Sequence, residues 1–181
     1  MNVMLDLETT GTTAGCCILS LAVVPFGLDT PVDSFYERIS HISSMDAGFT
    51  NDPETLRWWD RQKPDVQEEA FGGTREVKAV LESFIFYMQT LGEAKDMHVW
   101  GNGKDFDNVI LAAALKKLGL KQPWDFRNNW CYRDMAKLYK IFEKPAPEIP
   151  HHALYDAKAQ AAHLEIIARG ARRGIPPIFP D

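Results

Sequence analysis

The stretch Met1-Asn2-Val3-Met4-Leu5-Asp6-Leu7-Glu8-Thr9-Thr10-Gly11 is an apolar run that carries two acids and stops at a small-residue turn. Side chains on a strand alternate between faces, so Asp6 and Glu8 project one way while Val3, Leu5 and Leu7 pack into the opposite layer. In a central strand, two carboxylates then share one spot. Burying such a pair is costly unless a cation neutralises it, and hard divalent ions such as Mg²⁺ prefer oxygen ligands. Taken alone, the same pattern also describes an edge strand with a solvated acidic face.

Outward from this strand the chain reads as β-β-β. Gly11-Thr12-Thr13 turns into a dense apolar run over residues 16–26, expected to pair with the first strand. Beyond Gly27-Leu28-Asp29, residues 34–39 complete an antiparallel meander. Asp52-Pro53-Glu54 is a helix start, with an acid at the cap and proline at the first helical position. That helix carries Trp58 and Trp59 and stops at Pro64, before a short helix over residues 65–71. Gly72-Gly73-Thr74 is expected to cap a helix running to about Leu91, in which Val77, Val80, Leu81, Phe84, Ile85 and Met88 recur at helical spacing.

Residues 97–101 read as a fourth strand, parallel to the first because a helix intervenes. The glycine turn after it opens a helix to about Leu118, and acids at the carboxyl end of a parallel strand lie where ligands bind in open α/β sheets. Asp105 and Asp107 face differently on a helix start, so only one of them is expected to join a site. An aromatic, polar stretch over residues 123–130 follows, then a short helix from about Cys131. A proline-rich linker over residues 145–150 delivers His151-His152-Ala153-Leu154-Tyr155-Asp156-Ala157 to a last helix ending near Arg169.

With 181 residues, 45% of them hydrophobic, one domain over residues 1–181 is expected, its proline-rich tail over residues 174–181 lying extended. The net charge of −5 argues against holding nucleic acid through a general basic surface, although clustered site carboxylates account for part of it. Three cysteines without a CxxC pair read as reduced core residues, with Cys16 and Cys17 on opposite faces of a strand. No run approaches a membrane span, and a strand starting almost at Met1 leaves no room for a cleavable signal, so a cytoplasmic location is expected.

Three acidic stretches thus stand in order on fitting elements: Asp6-Leu7-Glu8-Thr9-Thr10-Gly11, the run from Asn102 to Phe106-Asp107, and His151 to Asp156-Ala157, with a histidine five residues before the last acid. Together they resemble the three exonuclease motifs of the DnaQ-like DEDDh 3'-5' exonucleases, over residues 1 to about 167. The two tryptophans of residues 56–62 look like the branch of small stand-alone bacterial and phage members related to a mycobacterial-type exoribonuclease.

The resemblance implies an RNase H-like α/β/α fold, with a mixed central sheet of three antiparallel strands followed by parallel strands. It implies hydrolysis at the 3' end of RNA or single-stranded DNA, releasing nucleoside 5'-monophosphates. Asp6, Glu8, Asp107 and Asp156 would bind two Mg²⁺ or Mn²⁺ ions, with His151 as general base and His152 replaceable. Thr9, Thr10, Asn102 and Phe106 would contact substrate, although the interval from Asn102 to Phe106 is one residue longer than in many relatives. Lys104, Arg127 and Arg133 are candidates for phosphate contacts.

The competing classes are a catalytically weak nucleic-acid-binding adaptor and an oligonucleotide phosphoesterase. An adaptor is expected to have lost an acid, and none of the five positions is missing. Trp58 and Trp59 are adjacent on one helix and cannot both face the core, so either one is buried and the other partly covered by a neighbouring loop, or an exposed ring serves a homodimer contact or stacks on a substrate base, the dimer contact being favoured of those two.

Overall fold

The computed structural model describes residues 1–27, 32–103 and 105–178. β1 (Asn2–Thr9) is the middle of a five-stranded sheet. β2 (Ile18–Phe26) pairs with it antiparallel, from Asn2 opposite Phe26 to Glu8 opposite Ser20, and β3 (Phe35–Arg38) continues the meander. On the other side β4 (His98–Gly101) and β5 (Asn129–Cys131) run parallel, giving the order β3-β2-β1-β4-β5. The register of β1 against β2 shifts between Glu8 and Thr9, so the central strand ends in a bulge just behind its acids.

Strand alternation divides the core into two layers. Val3, Leu5 and Leu7 pack with α4 (Val77–Leu91) and α5 (Asp107–Lys117), through Val80, Leu81, Phe84, Ile110 and Leu111. Met4, Ala22 and Val24 point the other way, onto α7 (Ala153–Arg172), which presents Ala153, Ala157, Ala161, Leu164 and Ile167. Asp6 and Glu8 share the parity of Met4 and so point to the side of α7. The alanine-rich face of this helix lets its backbone lie near the sheet, where its first turns can reach those acids.

The remaining helices lie around these layers. α1 (His41–Asp46) and α3 (Pro64–Phe71) follow β3, with α2 (Pro53–Trp59) between them, and α6 (Tyr132–Leu138) follows β5. The expected start of α2 is present: the Asp52 carboxylate accepts the Glu54 and Thr55 N–H groups at 3.1 and 3.3 Å, and Pro53 is the first helical residue. Among the described residues no helix is long and apolar enough to cross a membrane.

Four expectations are corrected. Thr74 does not cap α4, whose cap is Glu76 without a side-chain hydrogen bond; instead Arg75 bridges to Ile39 and extends the sheet side of β3. β5 went unforeseen because three residues inside an aromatic, polar stretch carry no period. Cys16 and Cys17 both lie in the core layer of Val3, since they precede β2 and escape its alternation, and Cys131 is only half-buried. α7 continues to Arg172. Leu28 and Asp29 of the expected turn, and residues 179–181 of the tail, lie outside the described residues.

Gly73 shows how close the loop after α3 comes to the sheet. A Cβ there would collide with the backbone of Ile39, which has no freedom to retreat. Gly73→Ala is therefore expected to cost about 1–3 kcal/mol, as overpacking does, read as a lowered urea midpoint.

Candidate active site

The carboxyl end of β1 opens into a cavity of about 1110 Å³, walled by α2, the β4–α5 loop, α6 and the start of α7. Asp6, Glu8, Asp107 and Asp156 all line it. The parity of β1 aims Asp6 and Glu8 at α7, where Asp156 and Gln160, one turn apart, share a face. Gln160 Nε2 donates to Asp6 Oδ1 at 2.7 Å.

Asp107 enters from the opposite wall. Its carboxylate accepts the Asn102 N–H at 2.7 Å and the Leu7 N–H at 3.2 Å, which ties the start of α5 to β1. Gly101 makes this approach possible, because a Cβ there would run into the Asn108 side chain and lie 3.1 Å from Asp107 Oδ2. Asp156 Oδ2 accepts the His151 N–H at 2.9 Å, with Lys144 Nζ 4.0 Å from its other oxygen.

Burial, then the charges of Asp107, Glu8 and Asp156, push Asp6 well above the carboxylate range, against the hydrogen bond from Gln160. Glu8 is raised to about 8 by burial and by Asp156 and Asp107. Asp107 rises to about 7 through burial, opposed by the Asn102 and Leu7 N–H groups and by Arg133. Without a counter-charge, this cluster holds protons near neutral pH.

Among the described residues no group of three or more His, Cys, Asp or Glu side chains is arranged as a ready cage for a metal ion. Asp107 and Asp156 turn oxygens to N–H groups, and Gln160 holds Asp6. The donors nonetheless suit a hard divalent cation: all are carboxylates facing one cavity, and their mutual repulsion is what such an ion relieves.

Of the two middle acids, Asp107 is buried in the site and Asp105 is exposed at its rim. His151, in the left-handed region at φ 59°, sets its ring edge-on to Trp58, 4.9 Å between centroids, at the cavity wall. Thr9, Asn102 and Phe106 line the same space. Thr10 does not: it is fully buried, its amide bonds to the Cys17 carbonyl at 3.0 Å, and it is unavailable to a substrate. His152 is buried and packed, so its replacement carries a cost that motif spacing could not reveal.

Arg133 lines the cavity and donates to the Asn102 carbonyl at 2.7 Å. Arg127 lies elsewhere, paired with Asp125 and over the Phe126 ring; Lys104 is outside the described residues. Trp59 is buried, its indole N–H donating to the Thr9 carbonyl at 2.9 Å, and half-buried Trp58 faces the cavity, so neither offers the exposed ring expected at a dimer contact. Sequence reasoning missed Gln160, Arg61 and Lys137. Gln160 had a signal, four residues after Asp156 on one helix, whereas Arg61 and Lys137 look like ordinary surface cations.

The Rv2179c-like 3'-5' exoribonuclease domain family matches residues 1–168. The chain belongs to this family. It is a 3'-5' exonuclease, a hydrolase. No curated protein matches this exonuclease by sequence. Among solved structures it is similar to the nuclease domain of 3'hExo bound to rAMP, at 14% identity and TM-score 0.62, covering 99% of this chain and 96% of that one. Exonuclease X in complex with 5' overhanging duplex DNA is 18% identical, with TM-score 0.56 and coverage of 97% and 94%. E. coli Exonuclease I with a dT13 oligonucleotide is 13% identical, with TM-score 0.58, covering 96% of this chain and 41% of the longer one. At these identities the likeness establishes the RNase H-like fold.

The raised acids set a pH dependence. An acid whose folded pKa lies above its unfolded value binds more protons folded than unfolded between the two, so stability falls as pH rises through that window. For Glu8 the window runs from 4.5 to about 8. The melting temperature of chelator-treated protein is expected to drop from pH 5 to pH 8, and Mg²⁺ at pH 8 to raise it again. Glu8→Gln should raise the metal-free melting temperature at pH 8 and flatten the slope. A slope identical to wild type would remove Glu8 from the cluster.

Proposed function

We propose that this exonuclease removes nucleotides one at a time from the 3' end of RNA or single-stranded DNA, releasing nucleoside 5'-monophosphates. The observation that carries this is the convergence of four carboxylates and one histidine from β1, α5 and the start of α7 on a single open cavity. The family is described as exoribonuclease, which puts RNA first. Its size exceeds the roughly 300–1,000 Å³ of pockets for drug-sized ligands, which leaves room for a terminal nucleotide and its 5' neighbour.

Asp6, Glu8, Asp107 and Asp156 would hold two Mg²⁺ or Mn²⁺ ions, which supply water activation and charge stabilisation for an in-line phosphodiester displacement. His151 takes the proton of the attacking water. Its place on the cavity wall and the bond from its backbone N–H to Asp156 support this role. Arg61, Arg133 and Lys137 set positive charge along the walls for the phosphates. Asn102 has both backbone groups committed, to Asp107 and Arg133, and so meets the substrate through its side chain, with Thr9 and Phe106 beside it.

A 3'-to-5' ladder of single-nucleotide losses is expected on a 5'-labelled 20-mer with Mg²⁺, RNA run beside DNA; internal cuts, or no cleavage, would contradict the proposal. His151→Ala should lose about 10² to 10⁴ in kcat while Mg²⁺ still raises the melting temperature. Unchanged kcat would remove His151 as the base.

A further inference from the structure

The two neighbouring histidines do opposite things. His151 is exposed toward the cavity, whereas His152 turns into the protein and is 9% exposed. Its ring lies 4.6 Å from that of Tyr36 on β3 and 4.8 Å from that of Tyr155 on α7. His152 Nε2 stands 3.4 Å from Glu69 Oε1 on α3.

Glu69 is itself a junction. It accepts the Tyr36 hydroxyl and, at 2.9 Å, Arg38 Nη1, while Arg38 also donates to the Gly72 carbonyl at 2.7 Å. Burial lowers the pKa of His152, which favours the neutral ring. Nε2 faces Glu69, and Nδ1 is buried without a hydrogen-bond partner. A polar ring buried with one nitrogen unsatisfied costs free energy that an apolar side chain would avoid, so the tie to Glu69 is the feature that needs a reason.

The reason lies one residue upstream. Among the described residues His151 is the one non-glycine with positive φ, a conformation that persists when surrounding structure imposes it. Its ring has a contact with Trp58 on one side, and its N–H reaches Asp156. On the other side the chain is pinned by His152, whose carbonyl also accepts the Tyr155 and Asp156 N–H groups at 2.9 and 3.0 Å and so begins α7.

We propose that His152 is a positioning residue for His151: held by Tyr36, Tyr155 and Glu69, it anchors the loop that keeps the base in its left-handed conformation at the cavity wall. The anchor runs through Glu69 and Arg38, which lie outside the active-site cavity and border a separate space of about 410 Å³ with Tyr36 and His152. Its catalytic consequence rests on His151 being the base; its effect on the position of that ring does not.

The test compares His152→Ala, His152→Phe and Glu69→Ala with His151→Ala, by kinetics on the labelled RNA 20-mer and by NMR of the histidine rings. Signals of His151 are assigned by their loss in His151→Ala, and the adjacent Trp58 ring makes them sensitive to displacement. Glu69→Ala, which leaves every cavity-lining side chain in place, is expected to move these signals and lower kcat roughly 10- to 100-fold, as a misplaced group of about 1 Å does, with little change in KM. His152→Phe, which keeps ring stacking, should recover part of what His152→Ala loses. His151 signals at their wild-type positions in folded Glu69→Ala protein would overturn the anchor whatever its kcat. Moved signals with wild-type kcat, when His151→Ala is inactive, would overturn the catalytic consequence of the anchor. A fully active His151→Ala variant would instead overturn the assignment of the base.

Discussion

Four carboxylates brought to one partly dehydrated cavity repel one another, and the architecture around them answers that repulsion. Like charges in low dielectric cost far more than in water, and three of the four acids are held by a specific donor. Gln160 serves Asp6, the Leu7 and Asn102 amides serve Asp107, and the His151 amide serves Asp156. Burial, with the charges of Asp156 and Asp107, raises Glu8 to about 8. A divalent cation is the kind of charge that would relieve this repulsion.

Holding those acids together requires elements far apart in sequence. β1 supplies Asp6 and Glu8, α5 supplies Asp107 about 100 residues later, and α7 supplies Asp156 and Gln160 near the end. The Leu7–Asp107 and Asp6–Gln160 hydrogen bonds, across sequence separations of 100 and 154 residues, tie the two helices to the central strand. α2 closes the arrangement from the side, since Trp59 donates to the Thr9 carbonyl at the end of β1 while Trp58 meets the His151 ring. Two adjacent tryptophans therefore join the strand of the acids to the loop of His151.

An acidic chain can process a polyanion when its positive charge is local. Arg61, Arg133 and Lys137 stand along one cavity, and the carboxylates there are the part of the negative charge that metal ions would offset. Affinity gathered at one end of the substrate suits an enzyme that works from a terminus, whereas a broad basic face suits one that coats the strand.

The sequence by itself determined the opening three-stranded meander, the strand that carries Asp6 and Glu8, the parallel fourth strand and most of the helices. Each of these rests on local physics: alternation put Asp6 and Glu8 on one face, Asp52-Pro53 opened α2, and the three acidic stretches carried the family resemblance. Whether Asp105 or Asp107 entered the site was open from spacing alone, and the resemblance favoured Asp107, which the structure buries. Tertiary structure decided what local physics does not encode. Thr10 was withdrawn by the Cys17 carbonyl, the tryptophans turned inward and sideways rather than out, and His152 became a buried anchor. Those outcomes depend on which groups from β3, α2, α3 and α7 arrive beside a residue, and that follows from packing over long sequence distances, of which no single stretch carries a record.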